Sequence, residues 1–422
     1  MKFFSDSMSL ILTTVNDAFF QPLKGLAAAS PDARPCPDFS DDEFLHLGIQ
    51  RVIQSSESGR AFLQEHGLRF PNTPALGNYF AALKSKRRGL VIKDVNLALL
   101  VSANTVLHDR LAEIPELSDY ECFAQDGHWH KAAAHDPRHE GSKMAVGHFY
   151  SLNLRTHTLR HLAAARGLHE HDMSALKRIK PKGLRQAIAK GKRVLIVYDK
   201  SGIDFAYWRR CRQECAVYFL SRVKGNMVFD WIESVLWDRS DTRNHGVTED
   251  RRVRTREGHL LRIVYYTDPL TGKHYEFLTN QLDLPVGVIV ELYRRRWEAE
   301  KVFDEIKNKL EEKKAWASSL IAKETQAQLI AITHNLLLIY EQILEVEHAL
   351  TNEAEDKRRK QRKEAAEQAC AQAGQPISTL VTEVRRTTQR SVKFIRWLRQ
   401  AIRDKLTEAA AVLQLKQLYA TQ

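Results

Sequence analysis

The sequence predicts an α/β protein with helical regions at both ends of the chain. The continuous apolar run at residues 194–198 is typical of a strand buried on both faces. A helical stretch at 203–213 and a second apolar run at 217–220 follow it, and this order is the crossover unit of an α/β sheet. Residues 260–279 are rich in strand-forming side chains, whereas residues 41–107 have helical spacing.

The composition supports folded domains and a polyanionic partner. The chain has 422 residues, of which 43% are hydrophobic and 27% charged, so it can bury a sizeable core and is not a disordered tail. Lys and Arg exceed Asp and Glu by 64 − 52 = 12. Such an excess favours nucleic acid or an anionic membrane surface as the partner.

The sequence argues against membrane insertion and secretion. Its most apolar stretch, residues 329–340, contains three polar residues and is shorter than the roughly 20 residues that cross a bilayer. No small-residue cleavage site follows the apolar patch near the N-terminus. Five cysteines, an odd number, do not form a disulfide framework. We therefore expect a cytoplasmic protein with no membrane partner.

Residues 41–107 predict a small helical domain, with helix caps at Asp41 and Thr73. One of its helices is expected to end in the basic residues Lys84, Lys86, Arg87 and Arg88. These side chains suit a DNA backbone, and a solvated helix end that complements the helix dipole explains them equally well. Residues 1–112 are predicted to form a helical N-terminal region that binds DNA.

Two carboxylates are expected at the ends of strands in the central region. Residues 120–126 alternate like a half-buried strand that ends at Asp126, because Gly127 signals a turn. Asp199 directly follows the buried run at 194–198. Residues 148–154 and 156–161 predict two further strands, which form an antiparallel meander.

Residues 225–280 predict a β-rich insertion. Strand-forming sequences at 260–267 and 274–279 flank a turn that contains Pro and Gly. Four aromatic residues lie in these strands: Tyr265, Tyr266, Tyr275 and Phe277. We expect them to pack against one another, and stacking of one of them on an extruded DNA base is the minority alternative.

The most specific pattern of the chain follows the insertion. Pro285 opens a predicted helix that runs to about residue 314, and a second helix is predicted at 322–345. The first helix carries the spacing Y-x2-R-x3-E-x6-K at Tyr293, Arg296, Glu300 and Lys307. At about 100° per residue these four side chains share one stripe that borders the apolar face. Ordinary Glu-to-Lys support pairs on a charged helix are the alternative explanation.

Asp126, Asp199 and Glu300 come from distant segments, and together they have the donors needed to hold two Mg²⁺ ions. Three crowded carboxylates repel one another, so such a cluster implies divalent cations. Two hard ions activate a water or a 3′-hydroxyl and stabilise the leaving oxygen of a phosphodiester. The pattern therefore indicates nucleotidyl-transfer chemistry.

The sequence resembles the DDE transposases of bacterial insertion sequences, in the group marked by a Tyr-Arg-Glu-Lys helix. It matches that motif at all four positions, and four further segments carry the resemblance: FAQDG at Asp126, VLIVYDKSGID at Asp199, YFLSRVKGN and FLTNQLDLP. The resemblance covers roughly residues 115–345. It implies a ribonuclease-H-like catalytic core in two parts, residues 113–224 and 281–346, interrupted by the β-rich insertion.

The resemblance also implies roles for individual residues. Asp126, Asp199 and Glu300 would be the catalytic metal ligands, for Mg²⁺ or for Mn²⁺ in its place. Four residues would contact the DNA of the transposon end: Tyr293, Arg296, Lys307 and Arg222. A helical C-terminal region at 347–422 would contact the DNA end or a second subunit. His128 departs from the family pattern, in which many relatives carry a small hydroxyl residue there.

The expected activity is that of a transposase. It would bind terminal inverted repeats in double-stranded DNA, cleave the donor strands and join their 3′-hydroxyls to target DNA. A homodimer or larger synaptic complex is expected, because two ends must be held together. A catalytically inactive repressor and a metal-dependent nuclease without strand transfer are the alternatives, and no nucleotide cofactor is indicated, since no glycine-rich phosphate loop precedes a basic helix.

Two further clusters are expected to be structural. Four histidines lie in the segment after Asp126: His128, His130, His135 and His139. Without cysteines at ligand spacing we expect solvated or DNA-facing imidazoles in preference to a zinc site. Cys211 and Cys215 are spaced for packing on one helix face.

Overall fold

The structure is a computed structural model, and it describes residues 13–55, 58–139, 142–143, 146–166, 170, 172–269, 271–350, 353–372, 374, 377, 390 and 392–420. Five helices form the N-terminal region: α1 (Val15–Phe20), α2 (Asp41–Gln54), α3 (Gly59–Gly67), α4 (Leu76–Leu83) and α5 (Lys86–Val106). Their buried side chains continue without interruption into the core of the rest of the molecule.

The observed helix caps in this region lie one and two residues away from the predicted ones. Ser40, and not Asp41, caps α2, because its side chain accepts a hydrogen bond from the Glu43 amide while Glu43 accepts one from Ser40. Thr73 does not cap α4, since its hydroxyl donates to the Phe70 carbonyl at 2.7 Å. The cap of α4 is Ala75, which provides no side-chain hydrogen bond.

The basic cluster at residues 84–88 lies at the start of a helix, because α4 ends at Leu83 and α5 begins at Lys86. Two of its members are engaged inside the protein. Arg87 Nη1 lies 2.6 Å from Asp41 Oδ2, and Arg88 Nε lies 3.2 Å from Asp41 Oδ1. These two arginines therefore stabilise the N-terminal fold, whereas the Lys84 side chain is exposed.

A nine-stranded mixed sheet forms the centre of the molecule. Its strands are β1 (Tyr120–His130), β4 (Val146–Asn153), β5 (Leu159–Ala164), β6 (Arg193–Val197), β7 (Val217–Arg222), β8 (Asp230–Ser234), β9 (Val247–Arg254), β10 (Leu260–Thr267) and β11 (His274–Thr279), while β2 (Arg138–His139) pairs with β3 (Ser142–Lys143). The order is β5-β4-β1-β6-β7-β11-β10-β9-β8. β6 is parallel to both β1 and β7, and the other neighbouring pairs of this sheet are antiparallel.

The apolar run at 194–198 lies inside this sheet and is buried, as predicted. Within β6, every residue except Arg193 is buried. The short helices α6 (Asp172–Leu176) and α7 (Phe205–Cys215) lie before and after it. The crossover from β6 through α7 to the parallel strand β7 confirms the predicted strand–helix–strand unit.

Strand β1 does not end at Asp126, and Gly127 is not a turn. Antiparallel pairing with β4 continues from Phe123↔Asn153 to His130↔Val146 and carries the strand through both residues. The parallel pairing of β1 with β6 ends earlier, at Ala124↔Val197. Asp126 therefore lies beyond the end of β6 although it is inside β1. The predicted strand 156–161 begins three residues late, at Leu159, because a turn with His157 at φ 60° precedes it.

The strands predicted at 260–267 and 274–279 are confirmed with the same bounds. They belong to the same sheet as the central strands, since β11 pairs with β7 from Phe277↔Arg222 to Thr279↔Leu220. The β-rich segment thus extends the central sheet at one edge.

The single helix predicted from residue 285 to 314 is two helices, α8 (Val286–Arg294) and α9 (Trp297–Asn308). The amides of Arg296, Glu298 and Ala299 donate to carbonyls three residues back, which tightens the backbone between the two helices. α9 ends at Asn308, and Glu311 just beyond it has a left-handed backbone with φ 62°. The segment 309–314 is therefore not helical.

Helix α10 (Leu320–His348) runs through the core and packs against α2, α5 and β5. After it come α11 (Glu353–Gln372), α12 (Val392–Arg403) and α13 (Glu408–Ala420), so the predicted amphipathic piece at 392–413 is two helices. The Trp397 ring of α12 stacks on the Tyr340 ring of α10 with centroids 6.4 Å apart, which joins the C-terminal helices to the core.

Among the residues that the structure describes, the two helices α5 and α10 are long and apolar enough to cross a membrane by length and composition alone. Residues 329–340, on which the expectation of no membrane partner rests, lie within α10. The apolar window of α10 is 72% buried inside the protein, as in the core helix of a globular fold, so the two helices are weak evidence for a membrane span.

Candidate active site

Asp126 and Asp199 lie at the same end of the two neighbouring parallel strands β1 and β6. Asp126 extends beyond the last residue pair between β1 and β6, and Asp199 follows the end of β6 by two residues. The Asp199 backbone is held in place, because its carbonyl accepts hydrogen bonds from Ser221 Oγ and the Gly202 amide, both at 3.0 Å. Its side chain is exposed.

Arg296 joins the motif helix to the sheet. It lies at the junction of α8 and α9, where its Nη1 donates to Asp126 Oδ2 at 2.8 Å and its Nη2 donates to Glu300 Oε1 at 2.9 Å. The Arg296 side chain is 8% exposed, whereas those of Asp126 and Glu300 are 20% and 37% exposed. One buried guanidinium thus holds two partly open carboxylates.

The charges of the three carboxylates interact. Burial raises the pKa of Asp126 to about 6, against the opposing effects of Arg296 and the Gly127 amide, and the negative charges of Glu300 and Asp199 add to the rise. The raised pKa of Asp126 therefore comes mainly from burial, and repulsion by the other two carboxylates is a smaller contribution.

The donor atoms of these carboxylates do not all lie within 4.8 Å of one another. Within the described part of the chain that spacing is met by Glu347, His348 and Glu408, which lie at the end of α10 and the start of α13. Arg296 lies between Asp126 and Glu300 and binds both.

The four residues with predicted DNA contacts differ in exposure. Tyr293 is 6% exposed and packs on Phe277, with ring centroids 4.8 Å apart. Arg296 points inward to the carboxylates, as described above. Lys307 is exposed, and its positive charge acts on His128. Arg222, at the end of β7, lies over the Tyr275 ring, with the guanidinium carbon 5.1 Å from the centroid.

The histidines that follow Asp126 are not all solvated, and for two of them that expectation is wrong. His128 is 7% exposed and His130 is fully buried, because β1 continues through both, while His135 is exposed. The side chain of His139 lies outside the described residues. Burial lowers the pKa of His128 to about 4, aided by the charge of Lys307.

Two histidines from other strands complete this buried group, and their burial was not predicted from the sequence. His148 Nδ1 lies 3.3 Å from His161 Nε2, and the His148 ring is 5.0 Å from that of His130. Burial lowers the pKa of His161 to about 3 and that of His148 well below its ordinary value. His148 and Tyr150 are two residues apart in β4, and this spacing is the sequence signal that places both side chains on one face of the sheet.

The aromatic residues of the β-rich segment pack, as expected. The Tyr275 and Phe277 rings are stacked with centroids 5.8 Å apart, and Tyr266 lies 6.1 Å from Phe277. Tyr265 instead lies beside the guanidinium of Arg251. These contacts favour packing over base stacking for the rings of Tyr266 and Phe277, which are 6% and 1% exposed.

An exposed tryptophan beside the carboxylates was also missed. Trp297 follows Arg296 directly and is 58% exposed, with the Arg296 guanidinium 5.5 Å from its ring. Of the two cysteines on α7, Cys211 is fully buried in the second apolar cluster and Cys215 packs against that cluster, as the packing interpretation predicts.

Comparisons with known proteins identify the central region. Residues 125–336, half of the chain, match the family of the transposase DDE domain. No curated protein matches the chain. A solved structure that is similar to it is the cryo-EM structure of a piggyBac transposase synaptic complex with hairpin DNA. The two are 12% identical with a TM-score of 0.35, and the similarity covers 95% of this chain and 81% of that one.

Proposed function

The chain belongs to the family of proteins with a transposase DDE domain, which implies a metal-dependent enzyme of DNA transposition, and we propose that it is the transposase of a bacterial insertion sequence of the Tyr-Arg-Glu-Lys group. In this proposal it binds the terminal inverted repeats of its element, cleaves the donor strands and joins the 3′-hydroxyl ends to target DNA. One observation carries the proposal: Arg296 of the motif contacts both Asp126 and Glu300, at 2.8 and 2.9 Å.

The donor set suits divalent metal ions. Carboxylate oxygens are the ligands that Mg²⁺ prefers. Burial is the main cause of the raised pKa of Asp126, and the negative charges of Glu300 and Asp199 add to it. We propose that Asp126, Asp199 and Glu300 bind two Mg²⁺ ions, for which Mn²⁺ substitutes. When bound, such ions activate the attacking oxygen and stabilise the leaving oxygen of the phosphodiester.

The residues of the chain itself provide orientation and phosphate binding. Arg296 orients Asp126 and Glu300 before the substrate arrives, since it is buried and bonded to both. Lys307 and Arg222 supply positive charge for the DNA backbone, and the exposed position of Lys307 supports that role. The charges of Arg296 and Arg222 act on the hydroxyl of Tyr293, and the proposed DNA contact of Tyr293 is through that hydroxyl.

The proposed core is ribonuclease-H-like, in two parts at residues 113–224 and 281–346. The mixed sheet, in which β5, β4 and β1 form an antiparallel meander and β6 and β7 run parallel to β1, supports it. Residues 225–280 are the proposed insertion, with a DNA-binding region at 1–112 and a region of DNA or subunit contacts at 347–422. The enzyme would act in the cytoplasm as a homodimer or larger synaptic complex, without a nucleotide cofactor or membrane.

Product sequencing tests this proposal. The purified protein and its Asp126→Asn variant are incubated with Mg²⁺, the DNA that flanks its own gene and a target plasmid. The proposal predicts cuts at the element's ends and joined products, both absent with the variant. Cuts without joined products would indicate a nuclease, and end binding without cuts in either protein would indicate a repressor. Each of those two results would overturn the proposal.

A further inference from the structure

A large groove lies beside the proposed active site, between the N-terminal helices and the segment that follows α9. Its volume is about 920 Å³. One wall comes from α2, α3 and α4, and the other from residues 311–319 and the segment 133–135 after β1. We call this space the basic groove.

Four cations line the basic groove with their side chains exposed: Arg60, Lys84, Lys313 and Lys314. Among the described residues none of the four has a carboxylate oxygen within 4.0 Å, in contrast to Arg87 and Arg88, which both bind Asp41. Free surface cations that face one another across a groove are suited to successive phosphates of a nucleic-acid strand.

Trp316 lines the basic groove, and two contacts hold its ring in place. Trp316 Nε1 donates to Glu312 Oε2 at 3.1 Å, and the Arg51 guanidinium carbon lies 4.1 Å from the centre of the Trp316 ring. The ring is half-buried, and Phe80, also half-buried, lines the same space. Aromatic rings held among cations form a stacking surface for an unpaired base.

The two acidic residues of this wall do not cancel the positive charge. Glu311 lies 3.9 Å from Arg399, which is not one of the four cations that line the groove. Glu312 is buried, and burial raises its pKa to about 7, so its carboxyl group is only partly ionised at neutral pH. The basic groove therefore keeps a net positive charge.

The groove is connected to the catalytic carboxylates by the backbone. Lys313 and Lys314 follow the motif helix that bears Glu300 and Lys307. The Lys131 amide donates to the Lys313 carbonyl, and the Ala315 amide donates to the Lys131 carbonyl, both at 2.8 Å. Lys131 directly follows β1, which carries Asp126. The basic groove therefore adjoins the ends of the two elements that carry Asp126 and Glu300.

We propose that the basic groove binds a short unpaired stretch of the DNA substrate, with its phosphates on Arg60, Lys84, Lys313 and Lys314 and a base stacked on Trp316. The inference deepens the proposed transposase function and adds a binding site separate from the carboxylates. A duplex does not fit this role, since its bases are stacked on one another and are not available to Trp316.

A binding assay with a matched control tests the inference. Fluorescence anisotropy measures the affinity of the full chain for fluorescein-labelled oligo-deoxythymidine and for a labelled duplex. The test variant is Lys313→Gln/Lys314→Gln. The control is Lys360→Gln/Lys363→Gln on α11, where both lysines are exposed and lie 4.0 and 3.8 Å from glutamates on their own helix.

The test variant should bind oligo-deoxythymidine on the order of tenfold more weakly, with a salt slope lower by about 1.4, at about 0.7 for each lost phosphate contact. Its affinity for the duplex and the affinities of the control should change less than about twofold. Unchanged oligo-deoxythymidine binding, or an equal loss on duplex, would overturn the inference. The binding assay requires no cutting, so the two proposals can fail separately. If the wild type cleaves the element's ends but the test variant binds oligo-deoxythymidine as well as the wild type does, the groove inference alone is rejected. If the test variant loses oligo-deoxythymidine binding but the wild type does not cleave, the transposase proposal alone is rejected.

Discussion

Arg296 competes with any cation for the same two carboxylates. Its guanidinium occupies Asp126 Oδ2 and Glu300 Oε1, so a metal ion at those oxygens has to displace it or work against its charge. Two unit charges about 4 Å apart interact with about 1 kcal/mol in water and about 4 kcal/mol near a protein surface. Removal of this one side chain should therefore strengthen metal binding.

We expect Ca²⁺ to bind on the order of tenfold more tightly to Arg296→Gln than to the wild type, which corresponds to about 1.4 kcal/mol. Isothermal titration with Ca²⁺ alone measures this, because no turnover is needed. Lys307→Gln is the matched control, since Lys307 is an exposed cation of the same motif and should change the affinity less than about twofold. Equal or weaker Ca²⁺ binding by Arg296→Gln would contradict the competition.

Glu312 is a buried acid whose ionisation opposes folding. Burial raises its pKa to about 7 from an ordinary value of 4.5, although Gln326 and Trp316 donate hydrogen bonds to it. A carboxyl whose pKa is higher in the folded state favours folding at low pH, and this advantage is lost as the pH rises from 4.5 through 7. The full loss amounts to about 3 kcal/mol.

Glu312→Gln should remove this loss while it keeps an oxygen for both hydrogen bonds. We expect the variant to match the wild type near pH 4.5 and to exceed its free energy of unfolding by up to about 3 kcal/mol at pH 8. Urea unfolding across this pH range gives the difference. A difference that does not grow with pH would show that the buried carboxyl is not the cause.

At the scale of single elements, the start of α8 depends on a glycine. A Cβ at Gly287 would lie 2.1 Å from the Arg243 carbonyl oxygen, which is backbone and cannot turn away, and the Gly287 amide donates to Asn244 Oδ1 at 2.9 Å. From the sequence this glycine only weakens the predicted helix. The structure gives the reason for it, which is the close approach of a loop distant in sequence.

Gly287→Ala should destabilise the protein by about 1–3 kcal/mol, the usual cost of forcing an added methyl group into packed structure. Gly77 is the matched control, because it is also the second residue of its helix and a Cβ there meets no atom within 4 Å. Gly77→Ala should be neutral or stabilise by up to about 1 kcal/mol through helix propensity. Equal unfolding midpoints for the two variants would rule out the steric argument.

The elements predicted best are those whose pattern is local. The bounds of β10 and β11 follow from strand-forming residues on both sides of a turn, and the apolar run of β6 identifies a central strand. The extent of β1 was not predictable in this way, because its second half is held by β4, which is distant in the sequence. The break at Arg296 likewise depends on the contacts of that side chain with Asp126 and Glu300.

The same distinction applies to the candidate site. The Tyr-Arg-Glu-Lys spacing predicted which residues lie near the carboxylates, since that information is contained in one segment. Burial of His130 against His148 and the opening of the basic groove between α4 and residues 311–319 require the assembled sheet and helices. Sequence patterns therefore predict residues for the candidate site and not their surroundings.

At the scale of the whole molecule, one arginine joins the C-terminal region to the motif helix. Arg390 is 4% exposed, its amide donates to Glu305 Oε2 at 2.8 Å, its Nη1 binds the same carboxylate, and its Nε donates to Glu341 at 2.6 Å. Burial acts to raise the pKa of Glu305, and the charges of Arg390 and His334 outweigh it, so the pKa lies below its ordinary value. Glu305 is thus ionised in the core of the protein.

Arg390→Met should leave this buried carboxylate without its main cation and destabilise the protein by about 3–5 kcal/mol at neutral pH. The loss should shrink as the pH falls toward 5, because the pKa of Glu305 rises without Arg390 and a protonated carboxyl costs less to bury. Arg403→Met is the matched control, since Arg403 and its partner Asp404 are 53% and 41% exposed, and such a pair is worth less than about 1 kcal/mol. Urea unfolding at neutral and acidic pH measures both variants. If Arg390→Met lost no more stability than the control, or lost as much at pH 5 as at pH 7, the C-terminal helices would be held by apolar contacts such as Trp397 on Tyr340, and not by this ion pair.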